Sequence, residues 1–331
     1  YSHRAADYLE PERRKGAFPA VTRTEVGHHP VGVVGLISPW NYPLTLAVSD
    51  AVPALLAGNA VVLNPATQTS FSALLAAQLL REAGVPEDVF QVVTGRGSSA
   101  GAALVDHVDF IGFTGSTETG RVVARQAGEN LIESSLELGG KNPMVVLADA
   151  DLDHAVEGAV RGCFANAGQL CISFERIYVE DEVYPRFVSR LARRTRQLRL
   201  GPEYDFDVEM GSLFSADQLE TVEAHVADAR EKGANVVVGG EPRPELGPYF
   251  YEPTVLTDVT PEMAVSDEET FGPVVSVYRV ADAEEAVERA NESSYGLNAS
   301  VWTRDTDRGR AIARDIRCGT VNVNDAYIAS W

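Results

Sequence analysis

From residue 31 onward, short apolar runs of strand length alternate with longer stretches of helical spacing, and this alternation restricts the fold more than any other feature. Val31–Ile37, Ala60–Leu63, Val89–Val93 and Val108–Phe113 read as strands, while Leu44–Ala57, Phe71–Ala83, Ser98–Val105 and Thr117–Ala127 read as helices. Gly58-Asn59 and Gly84, with Pro86 behind it, stop two of the helices. Such alternation with short connections predicts a parallel sheet covered by helices on both faces. Near residues 140–150 the pattern restarts. Met144–Leu147 is a strand, and Asp151–Phe164 is an amphipathic helix opened by acidic residues. Later strands fall at Arg176–Val179, Asn235–Val238, Val274–Arg279, Ala299–Trp302 and Gly319–Val323, with helices at Val183–Leu198, Ala216–Lys232, Ala283–Asn291 and Thr306–Ile316. The expected class is α/β, organised as a polar N-terminal segment over residues 1–27 and two domains over 28–139 and 140–331. Val21–Val26 alternates as an exposed strand does. The seam near Glu137–Lys141 is where a ligand cleft is expected.

The 331 residues suffice for two cores. A formal net charge of -20 argues against nucleic acid and against anionic membrane surfaces, both of which need basic faces. No apolar stretch approaches the ~20 residues of a membrane-spanning helix, and no signal peptide is visible. The three cysteines, Cys163, Cys171 and Cys318, contain no C-x-x-C pair, which suits neither a disulfide framework nor a metal site. Reduced thiols point to a cytoplasmic setting.

Three segments carry chemistry. In Gly168-Gln169-Leu170-Cys171-Ile172-Ser173 a thiol follows a Gly-Gln turn in polar surroundings, and a partly ionised thiol is a good nucleophile. Cys163, in an apolar helical pattern, and Cys318 read as packing residues. In Leu136-Glu137-Leu138-Gly139-Gly140-Lys141 a carboxylate lies between two leucines. Desolvation there raises its pKa toward what a general base needs, unless Lys141 or Arg176 pairs with it. Pro39-Trp40-Asn41-Tyr42-Pro43 holds Asn41 in a stiffened turn, where its amide N–H can support an oxyanion or simply serve the turn. Phe113–Gly120 follows a strand and opens a helix, so Gly115 and the helix N-terminus can approach phosphate, although G-x-G-x-x-G is absent. Gly139-Gly140-Lys141 is not a nucleotide-triphosphate loop, because Ser135 stands where glycine is required. In Glu268–Pro273 an acidic residue can hold ribose hydroxyls and Phe271 can wall off a ring, or the segment is a solvated loop.

Taken in order along nearly the whole chain, Pro39–Pro43, Gly58–Pro65, Phe113–Gly120, Leu136–Lys141, Gly168–Cys171, Glu268–Pro273 and Gly319–Asn324 resemble the aldehyde dehydrogenase superfamily. The resemblance implies a Rossmann-type cofactor domain over 28–139, a catalytic domain over 140–331 and an oligomerisation arm over 1–27. Both domains look incomplete, at the N-terminal side of the first and the C-terminal side of the second. It makes Cys171 the nucleophile, Glu137 the base for deacylation, and Asn41 with the Cys171 N–H the oxyanion hole. Ile37, Trp40, Asn64, Thr67, Gly97, Gly115, Ser116, Glu269 and Phe271 become cofactor contacts, with Glu269 on the nicotinamide ribose and no metal. The family usually has Lys where Asn64 stands, and its NAD-preferring members often carry Glu where Thr67 stands. NADP or NAD is therefore the implied cofactor, with NADP+ not repelled. The nearest likeness is to bacterial succinate-semialdehyde dehydrogenases, implying a small aldehyde substrate and a homo-oligomer, dimer or tetramer. The arginines that hold the substrate carboxylate in that activity are replaced by Ser49 and Ala165, leaving Arg161, Arg176 or the C-terminal part expected to be missing as substitutes. Another aliphatic or aromatic aldehyde, a CoA-acylating reaction and an inactive structural homologue are the alternatives; Glu137 speaks against the second.

Overall fold

The computed structural model describes residues 1–327, and the chain divides into two compact units, Tyr1–Leu138 and Gly139–Trp331. In the first unit, β1 (Glu12–Arg14) and β2 (Thr24–Val26) form an exposed antiparallel ribbon. The remaining strands are β3 (Val33–Ser38), β4 (Ala60–Pro65), β5 (Phe90–Val92), β6 (Phe110–Thr114) and β7 (Glu133–Glu137). They make one parallel sheet in the order β5-β4-β3-β6-β7. Its two faces bury separate apolar clusters. One contains Val34, Leu36, Val61, Leu63 and Phe90 with alanines of the helices Ala51–Leu56 and Ser70–Glu82. The other contains Val105, Ile111, Phe113, Val123 and Ala127.

The strand order reverses direction between β3 and β6, and in open parallel sheets ligands bind outside the carboxyl ends of the strands at such a point. β3 runs into Pro39–Pro43, and β6 runs into Gly115-Ser116. The helix expected over Leu44–Ala57 is split into Thr45–Val48 and Ala51–Leu56. Pro53 has no N–H to offer the Ser49 carbonyl, which breaks the hydrogen-bond ladder between them. The helix expected over Ser98–Val105 likewise starts as a wide turn, Gly97–Gly101, and becomes α-helical only at Ala102–Val105.

The second unit has seven strands, β8 (Asn142–Val146), β9 (Phe174–Glu180), β10 (Asn235–Val238), β11 (Thr254–Thr257), β12 (Val274–Val280), β13 (Asn298–Trp302) and β14 (Thr320–Val323). Their order is β10-β11-β12-β9-β8-β13-β14, parallel throughout except for β10, which pairs antiparallel to β11. β8 and β9 are buried along their full lengths, as the central strands of a sheet covered on both faces must be. The helix Leu152–Phe164 buries Ala155, Val156, Ala159, Val160, Cys163 and Phe164. It is capped by the Asp151 carboxylate, which accepts the N–H groups of Asp153 and His154.

Candidate active site

In the first unit the expected contacts gather at the carboxyl ends of the parallel strands. Asn41 and Trp40 are half-buried in the turn after β3. Ser116 caps the helix Thr117–Glu129, its Oγ accepting the Thr119 N–H at 3.3 Å, so the positive end of that helix lies directly after β6. A Cβ on Gly115 would come within 2.6 Å of the Phe113 ring, so only glycine leaves this strand end clear. Gly97 is exposed, with open space around it. Ser38 Oγ, at the last position of β3, is buried with no protein hydrogen-bond partner. An orphaned hydroxyl, a bare glycine turn and a helix N-terminus are groups a dinucleotide pyrophosphate can use, so the residues present fit such a cofactor.

Asn64 and Thr67 are placed differently from each other. Asn64 is buried, and its Nδ2 donates to Val93 O at 2.8 Å and to Gly95 O at 3.4 Å, tying β4 to the loop after β5. Thr67 is exposed, with its Oγ1 donating to Gly95 O at 3.3 Å. Ile37 is half-buried and packs on the second cluster of this sheet.

Glu137 ends β7 and lines a cavity of about 330 Å³ that also takes in Asp50, Phe113, Thr114 and Ser135. Its carboxyl is held above the ordinary value, first by partial desolvation and then by the negative charge of Asp50. The pairing alternatives for Glu137 are otherwise engaged. Lys141 is ion-paired with Glu175, and the Arg176 guanidinium donates to the carbonyls of Lys141, Arg289 and Ala290 and to the Tyr178 hydroxyl. Arg176 is 3% exposed and fully committed, so it is not available to hold a substrate carboxylate. Arg161 is partly exposed; it pairs with Asp325 at 2.7 Å and lies over the Tyr327 ring.

In the second unit Cys171 sits in a loop that the backbone over-determines. Asn166, Ala167 and Gly168 take φ of 52°, 54° and 73°, three successive left-handed residues after the helix Leu152–Phe164. Only Gly168 is suited to this, and a Cβ there would come within 2.1 Å of Gly272 O. Gln169 is a bracket rather than a polar wall of the site. Its Nε2 donates to Asn166 O at 2.9 Å, and its Oε1 accepts the Phe214 N–H at 2.8 Å. Asn142 Nδ2 donates to the carbonyls of Cys171 and Ser173, each at 2.7 Å, and its Oδ1 accepts the Asn298 N–H at 3.0 Å. Cys171 is half-buried, whereas Cys163 is buried and its thiol is pushed well up by desolvation. This separates a thiol at the surface of the unit from one in its core.

Glu269 lies against Gly139, where a Cβ would meet Oε2 at 2.3 Å, and its Oε1 accepts the Gly140 N–H at 2.9 Å. Burial pushes its carboxyl up to about 7, against the lowering effect of that hydrogen bond. Phe271 has φ of 50°. Sequence reasoning overlooked Asn142 and Glu175. The available signal for Glu175 was a charged residue between Phe174 and the strand expected at Arg176–Val179, because a charge that becomes buried must find a partner.

Each unit is built on a largely parallel sheet, the first with a bare-glycine helix start at its reversal point and the second with a thiol on a strained loop, and together they define an α/β protein. The family model described as "Aldehyde dehydrogenase family" matches residues 1–330, and the chain belongs to that family. It is 55% identical over all 331 residues to "Putative succinate-semialdehyde dehydrogenase (NADP(+))" of Mycolicibacterium smegmatis, spanning 64% of that protein. It is 44% identical over 310 residues, 93% of the chain, to 3-sulfolactaldehyde dehydrogenase of Pseudomonas putida, again covering 64% of the relative. A crystal structure of an E. coli NADP-dependent enzyme superposes with a TM-score of 0.95 at 41% identity, over 99% of this chain and 68% of that one. The chain thus spans a little under two thirds of the curated relatives it matches. Among the described residues no helix is long and apolar enough to cross a membrane, and no cluster of His, Cys, Asp and Glu is suited to a metal ion.

Proposed function

We propose that this protein oxidises an aldehyde to its carboxylic acid through a thioester on Cys171. The thiolate adds to the aldehyde carbon, with the Asn41 amide and the Cys171 N–H donating to the oxyanion that forms. A bound nicotinamide cofactor supplies the acceptor for the hydride that leaves this carbon. Glu137 takes a proton from water, the water attacks the thioester, and the acid departs with return of the thiol. The raised pKa of Glu137 suits that role, because a base is most effective when its pKa lies near the working pH. The observation that carries the reading is family membership across residues 1–330, with a half-buried thiol held on the left-handed loop at 166–168.

The substrate class follows from the relatives. Succinate semialdehyde and 3-sulfolactaldehyde are both small aldehydes with an anionic group at the far end. We infer that succinate semialdehyde is oxidised to succinate, with Arg161 as the cation nearest in sequence to the nucleophile loop that remains partly exposed. NADP+ is the inferred preference over NAD+, since Thr67 offers no carboxylate to repel a 2′-phosphate. Ile37, Trp40, Gly97, Gly115 and Ser116 on one unit, with Glu269 and Phe271 on the other, are the proposed cofactor contacts. Assembly as a homo-oligomer in the cytoplasm completes the reading, with the first residues as the association arm. The test is a panel of aldehydes, with and without a terminal anion, offered with both cofactors to the full-length protein and to Cys171→Ala. Turnover of anionic aldehydes that the substitution abolishes supports the reading. A folded wild-type protein that reduces neither cofactor with any aldehyde refutes it.

A further inference from the structure

We propose that Glu175, neutralised by Lys141, is a positioning residue that sets the backbone of Glu269-Thr270-Phe271 and thereby the grip on the nicotinamide half of the cofactor. The inference rests on the preceding reading, in which Glu269 and Phe271 meet that half. Lys141 and Glu175 have side chains 1% and 3% exposed and lie 2.5 Å apart, Nζ to Oε2. Glu175 does more than balance the lysine. Its Oε1 accepts the Phe271 N–H at 2.9 Å, and its Oε2 accepts the Thr270 N–H at 2.9 Å. Two successive amides therefore converge on one buried carboxylate.

The carbonyls of the same two residues are claimed from the other side by Gln218 Nε2, at 3.0 Å each. The Thr270 hydroxyl meets His225 Nδ1 at 3.1 Å. Glu269, the preceding residue, is fixed by the Gly140 N–H, one position before Lys141. The left-handed φ of Phe271 is unfavourable for a side chain of this size. It persists where surrounding bonds over-determine it. Glu175 supplies two of those bonds, and Lys141 makes an ionised carboxylate tolerable at that depth.

Exchanging only one partner strands the other charge in the core, and such a variant can fail to fold. The informative variant is the double substitution Lys141→Met with Glu175→Met in the full-length protein. Apolar residues of similar volume commonly replace a buried ion pair without loss of fold. They keep the packing and remove the acceptor for the two amides. Binding of the oxidised dinucleotide is measured beside binding of 2′,5′-ADP, which lacks the nicotinamide half, with aldehyde oxidation followed in parallel. Glu175→Asp, which keeps the charge on a shorter stem, is the conservative comparison. Expected are a dinucleotide Kd raised about tenfold to a hundredfold, from two lost charge-assisted bonds, a fall in kcat, and a 2′,5′-ADP Kd unchanged, with Glu175→Asp partly restoring both losses. A folded double variant that binds the dinucleotide as the wild type does overturns the inference. So does equal weakening of both ligands. Failure of the wild type itself to bind dinucleotide or oxidise aldehydes instead refutes the reading on which the inference rests.

Discussion

Asn142→Ala isolates the support beneath the loop that carries Cys171. Asn142 is 2% exposed and makes three hydrogen bonds, two as donor to the carbonyls of Cys171 and Ser173 and one as acceptor from the Asn298 N–H. Alanine leaves all three backbone groups without that partner. A buried group left unsatisfied costs about 1–3 kcal/mol. The carbonyls keep a second lone pair and the Cys171 carbonyl is only partly buried, so we take the low end for each, a total of about 3 kcal/mol. That is a large share of the ~5–15 kcal/mol by which a domain is stable. The loop itself should open first, because the Ser173 N–H is tied to Leu170 O only through the local turn. Three kcal/mol corresponds to roughly a hundredfold in the opening equilibrium. Hydrogen–deuterium exchange over residues 169–173 should accelerate by that factor, while the helix Leu152–Phe164 is less affected. Asn142→Asp should be worse than alanine, since it aims a carboxylate at two carbonyl oxygens. Exchange unchanged within threefold in Asn142→Ala, or an aspartate milder than alanine, would refute the argument that these bonds hold the loop.

Glu269 has a carboxyl raised to about 7 by burial, from an ordinary 4.5. The folded state therefore holds a proton that the unfolded state has released between those values, and the associated stability is complete below about 4.5 and lost as pH rises through 7. Glu269→Gln should flatten that decline, so thermal melts of the two proteins at pH 5 and pH 8 should diverge; parallel curves would contradict it. Gly168→Ala must place a Cβ 2.1 Å from Gly272 O at φ 73°. We expect a misfolded or displaced Cys171 loop, read as lost protection in peptides 165–175, and near-wild-type exchange there would contradict the steric reasoning. Glu137→Gln in the full-length enzyme should slow deacylation and leave a burst of reduced cofactor followed by a slow steady state. A steady state matching the wild type would remove Glu137 from the base's role.

Local pattern was enough for most elements. β3, β4, β6, β8, β10, β12, β13 and β14 fall on apolar runs, and helices such as Ala283–Asn291 lie where their spacing and caps predict. The first part of β7 is not marked in the sequence, because Glu133-Ser134-Ser135 carries no apolar signal; the strand forms by parallel pairing with β6. β11, Thr254–Thr257, is not marked in the sequence because only its two central residues, Val255 and Leu256, are apolar. Cys171, Glu137 and Asn41 stand out from their neighbours in the chain, which makes them candidates from sequence alone. Their supports were not.

The order of apolar and polar residues determined the α/β class and the restart that begins the second unit, and the short motifs carried the family resemblance, because side-chain periodicity and motifs are properties of adjacent residues. The tertiary structure alone decided that Asn64 brackets a loop, that Arg176 is spent on backbone carbonyls, and that Glu175 holds Thr270 and Phe271 from 95 and 96 residues away. Those outcomes depend on which strands become neighbours and in what register. A buried polar group bonds to whatever that register brings within 3 Å, and nothing in the spacing of residues along the chain encodes the distance.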